Sequence, residues 1–240
     1  MNSVFVRTYP APPFNQKEIL RYMGYRSNEA DQMVTQLLDD CIAEISPLLI
    51  YKVCFRTFSL SCSSFDTDQD IQTDGQASSF LDLTFMQTDS KDLAKNLAGC
   101  HELVAFAATV GIAVDRLITK YGAISPSKAL CMQAIGAERI ESLCDCFNQE
   151  IDEKYRQENC FTRPRFSPGY GDFALEAQRE IFKVLDCSRK IGLSLNESLL
   201  MSPSKSVTAL IGISDTQKNR CRSGCIQCTK TDCNFRRNEI

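Results

Sequence analysis

The sequence predicts an α+β domain: a largely antiparallel sheet bordered by helices. Three observations carry this. Segments of strand period and helix period alternate along the chain without the regular βαβ rhythm that builds a parallel sheet. Residues 49–58 and 206–214 alternate like strands, with Tyr51, Val53 and Phe55 opposite Lys52, Cys54 and Arg56, and with Val207, Ala209, Ile211 and Ile213 opposite Thr208, Leu210, Gly212 and Ser214. Between them lies one long helix, about residues 126–155, announced by Ser125-Pro126 as N-cap and first-turn proline.

In order, Pro10, Pro12 and Pro13 make residues 1–13 an extended arm with one short strand at 4–8. Asn15 caps a short helix, with Glu18 in the capping-box position, Phe14 and Ile19 as staple and Gly24 as terminator. Ser27 opens a longer helix whose stripe is Met33, Val34, Leu37, Leu38, Cys41, Ile42 and Ile45, and Pro47 stops it. The 49–58 strand is expected to be half-buried. Residues 59–79 are polar and read as a long mobile loop. LDLTF, 81–85, is a second strand, and Asp89 or Ser90 caps a helix ending near Gly99. Residues 101–109 form a buried strand, and 114–121 a helix ending at Gly122. The long helix buries Leu130, Ala134, Ala137, Ile140, Leu143, Cys144, Phe147 and Ile151, with Glu141 beside that stripe. Asp172 is placed to cap a helix to about Leu185, with Phe173, Ala177, Ile181, Phe182 and Leu185 inward. SLNESLLM and the last strand are expected to form a hairpin about the turn at 202–205.

The apolar fraction is 43% and the net charge −3, which suits a sizeable core and points to neither nucleic acid nor a membrane surface. No run approaches the ~18 apolar residues of a membrane span. The first thirteen residues lack a basic region followed by an apolar core, so no secretory signal is expected and the reading is cytoplasmic. There is no GxGxxG and no GxxxxGK[ST], which removes the common nucleotide sites. His101 is the sole histidine and is read as a packed or surface residue. A hydrolase built on it would lack any nucleophile elbow.

Thirteen cysteines outside a secretory context do not imply a disulfide framework. Those from Cys41 to Cys187 read as small buried hydrophobes. The others are set apart in a basic tail at C-x3-C-x2-C-x4-C: Cys221, Cys225, Cys228 and Cys233. Thiolates so close repel unless a cation shares them, and the neighbouring Lys and Arg favour the thiolate form. A metal site is expected, and zinc and an iron–sulfur cluster both suit the donors. The first three match the C-x3-C-x2-C spacing of radical enzymes, but in those the motif comes early, with most of a barrel after it. The chain therefore divides into a domain, 1–214, and a four-cysteine tail, 215–240.

The loop RFSPGYGD, 165–172, joins a fixed cation, a turn built on Pro168 and Gly169, and the phenol of Tyr170. With LNESLLMSPSKSV after it, AFAATVG-x3-D before it, and Glu141 on the long helix, it resembles the activation domain of cobalamin-dependent methionine synthase, in its free-standing subunit form. The likeness spans about residues 100–214, and R-x-x-P-G-Y is its most specific piece.

The resemblance implies a fold like that domain's and a reactivation role. When the synthase's cobalamin has oxidised to cob(II)alamin, the activation domain presents the methyl group of S-adenosylmethionine while a flavodoxin- or ferredoxin-like donor supplies one electron. By the same resemblance Arg165 holds the ligand's carboxylate, with Arg163 second in rank, and Glu141 is the acidic partner. Pro168, Gly169 and Tyr170 cradle the ligand and face the corrin. The implied partner is a cobalamin-binding methionine synthase subunit, without which no turnover is expected. Departures exist: the family's N-terminal aspartate has no counterpart, its tyrosine pair is replaced by DTQKNR, and the fused domain lacks the cysteine tail. The alternative reading is a redox protein that reduces a corrinoid methyltransferase through the tail's iron–sulfur or zinc cluster.

Overall fold

The computed structural model describes residues 3–25, 30–60 and 80–216. The four tail cysteines, Ser27 and most of the polar 59–79 segment lie outside the described residues.

A five-stranded sheet organises the chain. Its strands are β1 (Phe5–Thr8), β2 (Lys52–Ser59), β5 (Glu102–Thr109), β6 (Phe161–Thr162) and β9 (Ser206–Ser214), in the order β1-β2-β5-β9-β6. Every pairing is antiparallel. The central ladder runs Lys52↔Thr109 to Ser59↔Glu102 and then Glu102↔Ile213 to Thr109↔Ser206. Two small hairpins flank it: β3 (Leu81–Asp82) with β4 (Gln87–Thr88), and β7 (Ser194–Leu195) with β8 (Met201–Ser202).

Helices cover both faces. On one lie α1 (Gln16–Tyr22), α2 (Gln32–Ile45), α4 (Ala113–Ile124) and α5 (Pro126–Arg156); on the other, α3 (Lys91–Leu97), α6 (Gln178–Leu185) and α7 (Cys187–Ile191). Period-two alternation assigns strand side chains to the two cores. Val53, Phe55, Val104, Phe106, Ala209 and Ile211 pack with the α5 side, while Cys54, Phe58, Leu103, Ala105 and Leu210 pack with the α6 side.

Several expectations are corrected. β2 is not half-buried: Cys54 is as buried as Val53, because α7 covers the second face. LDLTF gives only a two-residue strand before a turn at Thr84, whose φ is +75°. α4 runs through Gly122 to Ile124. Met33 and Leu130, expected inside, are 82% and 49% exposed. SLNESLLM does not pair with the last strand; β7 and β8 close on each other, and β9 inserts between β5 and β6. At α2 the capping side chain is Asp31, accepting from Val34 N at 2.9 Å.

The capping of α1 is shared. Asn15 accepts from Glu18 N at 3.2 Å as expected, but Glu18 turns to Arg21. Asn15 N donates instead to Glu138 Oε1 of α5, at 3.2 Å. A tertiary carboxylate thus does what a local one does in a capping box.

Close packing of α4 on α5 needs Gly136, where a Cβ would stand 2.6 Å from Val114 Cγ1. Nearby, Asp115 accepts from Ser204 N at 3.2 Å and Ser206 Oγ donates to Thr109 Oγ1 at 2.8 Å. Two motifs distant in sequence, AFAATVG-x3-D and SPSKSV, are therefore one locked corner.

Candidate functional site: Arg165 on the long helix

The chain leaves β6 and runs beside β9. Arg163 N donates to Gly212 O at 2.7 Å, and Phe166 exchanges both backbone bonds with Leu210 at 2.9 Å. Alternation then sends neighbouring side chains to opposite sides. Phe166 enters the α6-side core against Phe173, and Arg165 reaches α5.

There the guanidinium is gripped twice. Nη1 donates to Asp145 Oδ1 and Nη2 to Glu141 Oε2, each at 2.6 Å. With the Asn148 amide oriented to satisfy its surroundings, its oxygen accepts from Nη1 at 2.7 Å and its nitrogen donates to Cys144 O at 3.3 Å. Only 23% of the Arg165 side chain is exposed, so these are short charge-assisted bonds in a half-dry setting. Burial pulls the guanidinium pKa down, but the anionic forms of Cys144, Glu141 and Asp145 more than reverse it, and the net shift is upward. Beneath them the Cys144 thiol is pushed up to about 12, chiefly by burial. It is packing, not a nucleophile.

The following turn has the type II signature. Pro168 is at the second position, Gly169 at the third with φ +86°, and Tyr170 N closes on Ser167 O at 3.1 Å. Gly169 N is tied to Phe173 O at 2.7 Å. Tyr170 stands edge-on to Phe166, 5.3 Å between centroids, and is 57% exposed.

Asp172 does not cap the helix that follows it. Its carboxylate accepts from Lys91 N at 2.8 Å, Asp92 N at 3.1 Å and the Ser90 hydroxyl, all at the start of α3. Ser90 and these two amides hold its carboxyl below the usual range. α6 begins only at Gln178, after a 3-10 turn at Leu175–Ala177. The reason is geometric: Gly171 brings the loop so close to α3 that a Cβ there would lie 2.5 Å from Asp92 Oδ2. The turn is thereby stapled to a second element.

Arg163 is a brace. It is 6% exposed, donates to Ala98 O at 3.0 Å and lies under Gly212. With Asn148, Gln149, Asp152, Thr162, Pro164 and Ile211 it lines a cavity of about 310 Å³, at the small end of ligand pockets. Asn148 joins that cavity to Arg165.

The structure thus brings Arg165 and Glu141 together and sets Pro168, Gly169 and Tyr170 beside them. Sequence reasoning missed Asp145 and Asn148. Their signal was present: Glu141, Asp145, Asn148 and Asp152 recur at four, three and four, a polar stripe along one side of α5. The expected cysteine site, Cys221, Cys225, Cys228 and Cys233, lies outside the described residues.

The fold, an antiparallel sheet clasped between helices, has a solved counterpart. A crystal structure described as the MetH reactivation domain bound to AdoHcy superposes with a TM-score of 0.57 at 17% identity, covering 88% of this chain and 78% of that one. The family model described as "Vitamin B12 dependent methionine synthase, activation domain" matches residues 88–228, more than half of the sequence. The chain belongs to that family. A comparison with curated proteins finds no match. Among the described residues no helix is long and apolar enough to cross a membrane.

Proposed function

We propose that this chain binds S-adenosylmethionine at the Arg165 loop and, as a free-standing subunit, presents its methyl group to a cobalamin-bearing synthase module. The observation that carries the reading is the half-buried Arg165 guanidinium held between Glu141 and Asp145 at the foot of the Pro168-Gly169-Tyr170 turn.

The residues present fit the ligand. S-adenosylmethionine carries one carboxylate, one ammonium and one sulfonium, a net single positive charge. Arg165 with Glu141 and Asp145 carries the opposite net charge. Arginine has five N–H donors in a rigid fork, so donors remain for a ligand carboxylate while Nη1 and Nη2 keep their acidic partners. Glu141 and Asp145 then stand within reach of the ammonium or sulfonium. A family member need supply only placement, because the partner's reduced corrinoid is the nucleophile. Exposed Tyr170 provides a flat surface where the corrin would dock. The partner is the cobalamin-binding synthase module implied by the family, with a flavodoxin- or ferredoxin-like electron donor.

Titration calorimetry with S-adenosylmethionine tests the site: saturable binding is expected, and Arg165→Ala should abolish it. Undiminished binding by that variant overturns the assignment. Recovery of a cob(II)alamin-inactivated synthase lacking its own activation domain, given a reductant, tests the role.

The C-x3-C-x2-C-x4-C motif favours a second activity alongside the first. In this reading residues 1–214 are the binding unit, and Cys221, Cys225, Cys228 and Cys233 hold an iron–sulfur cluster or zinc. A visible spectrum after anaerobic purification separates the two: colourless protein with stoichiometric zinc removes the electron-transfer reading.

A further inference from the structure

The antiparallel order β5-β9-β6 places three chain positions at one end of the sheet: His101 just before β5, Cys160 just before β6 and Asp215 just after β9. His101 Nδ1 is 3.4 Å from Asp215 Oδ1, Cys160 Sγ is 3.4 Å from the same carboxylate oxygen, and the three donor atoms lie within 4.8 Å of one another. A nitrogen, a thiol and a carboxylate therefore converge at a corner that the Arg165 site does not use.

A second observation concerns His101 Nδ1 itself. This atom is shielded from solvent yet has no hydrogen-bond partner among the described residues. Its approach to Asp215 has the distance of an ion pair without the geometry of a hydrogen bond. A buried polar atom left so is costly unless something else satisfies it. The corner is also rich in negative charge, since the Glu102 and Glu158 carboxylates act on Cys160 together with Asp215.

We infer that His101, Cys160 and Asp215 form a three-ligand site for a zinc-class divalent cation, with the fourth coordination position left to water or an exogenous donor. Zinc takes histidine nitrogen at about 2.0–2.1 Å, carboxylate oxygen at about 2.0–2.2 Å and thiolate sulfur at about 2.3 Å. Around a tetrahedral centre such ligands stand roughly 3.3–3.8 Å apart. The nitrogen–oxygen and sulfur–oxygen edges already have this length. The remaining edge, from the imidazole nitrogen to the thiol sulfur, is no longer than 4.8 Å. It closes by rotation of the partly exposed Cys160 side chain, with Asp215, 77% exposed, free to follow. Binding releases the thiol proton to solvent, and the cation then completes the orphaned imidazole nitrogen. Mixed nitrogen, oxygen and sulfur donors select a borderline metal over magnesium or calcium, which prefer oxygen alone. Three protein ligands with the fourth position open to water or an added donor is an arrangement zinc takes in proteins, whereas closed structural sites use four. This inference does not rest on the binding of S-adenosylmethionine.

Cobalt(II), as a spectroscopic stand-in for zinc, tests it in the full chain with Cys221, Cys225, Cys228 and Cys233 all changed to serine, so that the tail contributes no thiol. After metal removal, anaerobic titration should show one equivalent of cobalt taken up with a thiolate-to-cobalt charge-transfer band, displaced by one equivalent of zinc. In that background Cys160→Ser should abolish the band, and His101→Ala and Asp215→Ala should each weaken cobalt affinity about tenfold or more. Circular dichroism of each metal-free variant confirms that it folds. In the unaltered tail background, Cys160→Ser should lower the zinc content by one equivalent. Absence of stoichiometric uptake, a band that survives Cys160→Ser, or affinity indifferent to both His101→Ala and Asp215→Ala each overturns the site.

Discussion

Arg139 and Glu138, consecutive on α5, form an ion pair inside the protein: Nη2 to Oε1 and Nε to Oε2 are both 2.6 Å, with side chains 0% and 3% exposed. The pair is fully used. Arg139 also donates to Pro12 O at 2.6 Å and Pro13 O at 2.8 Å and stacks 3.9 Å over the Phe14 ring, while Glu138 accepts from Asn15 N and Ser142 Oγ. Proline-rich chain has few backbone donors to anchor it, so its carbonyls are held by an arginine fork instead.

Arg139→Met should therefore be expensive, because it strands a buried carboxylate; breaking such a pair costs about 3–5 kcal/mol. Chemical denaturation should show that loss, and limited proteolysis should cut the arm near Pro12 and Pro13. Adding Glu138→Gln should recover part of the stability, since the stranded charge is then gone.

At the ligand site, Arg165→Lys keeps the charge and removes the fork. Hydrogen bonds to charged groups are worth roughly 1.5–3 kcal/mol, so S-adenosylmethionine affinity should fall about tenfold or more in calorimetry. Glu141→Gln should weaken binding as well, while thermal unfolding changes little, because that carboxylate lies near the surface.

Asp172 links acid stability to the loop. Its carboxyl is held below its ordinary value of 3.8 by Ser90 and the amides of Lys91 and Asp92. A depressed carboxylate contributes stability above its unfolded pKa, and that contribution disappears as pH falls through the folded one. Asp172→Asn should lower the melting temperature at neutral pH and flatten its decline below about pH 4, as read by melting temperature against pH.

Gly136→Ala sets two effects in opposition. Helix propensity favours alanine by roughly 0.5–1 kcal/mol. The added methyl, however, meets buried Val114 at 2.6 Å and the Lys205 stem at 2.9 Å, and overpacking typically costs about 1–3 kcal/mol. Net destabilisation is expected in urea unfolding.

What could be read from the residues was whatever depends on near neighbours. The alternation of 206–214, the period of α5, the Asn15 cap and the R-x-x-P-G-Y turn all declare themselves within a few residues, while the choice between Asp89 and Ser90 as the cap of α3 fell to Ser90 only in the structure. Arg165 as the fixed cation of its loop and Glu141 beside the apolar stripe were legible from the residues, their roles as ligand partners came from a resemblance, and the fold joins them. Asp145 and Asn148 were legible only as a faint polar stripe, because nothing local says which neighbouring segment such a stripe faces.

Asp172 shows where local reading stops. An aspartate before an apolar run is an ordinary helix cap, yet here it caps α3, because the Gly171 approach puts other amides nearer than its own. Glu138 replaces Glu18 at Asn15 for the same reason, and β9 leaves its sequence neighbour β8 for β5 and β6. Local sequence was enough for most of the elements and for the turn at Pro168-Gly169, but not for every buried face, since Met33 and Leu130 lie exposed and β2 is covered on both sides. Only the tertiary structure decided which donors met which acceptors, because sheet order and helix packing bring together residues whose separation along the chain carries no local signal. The convergence of His101, Cys160 and Asp215 is the plainest instance.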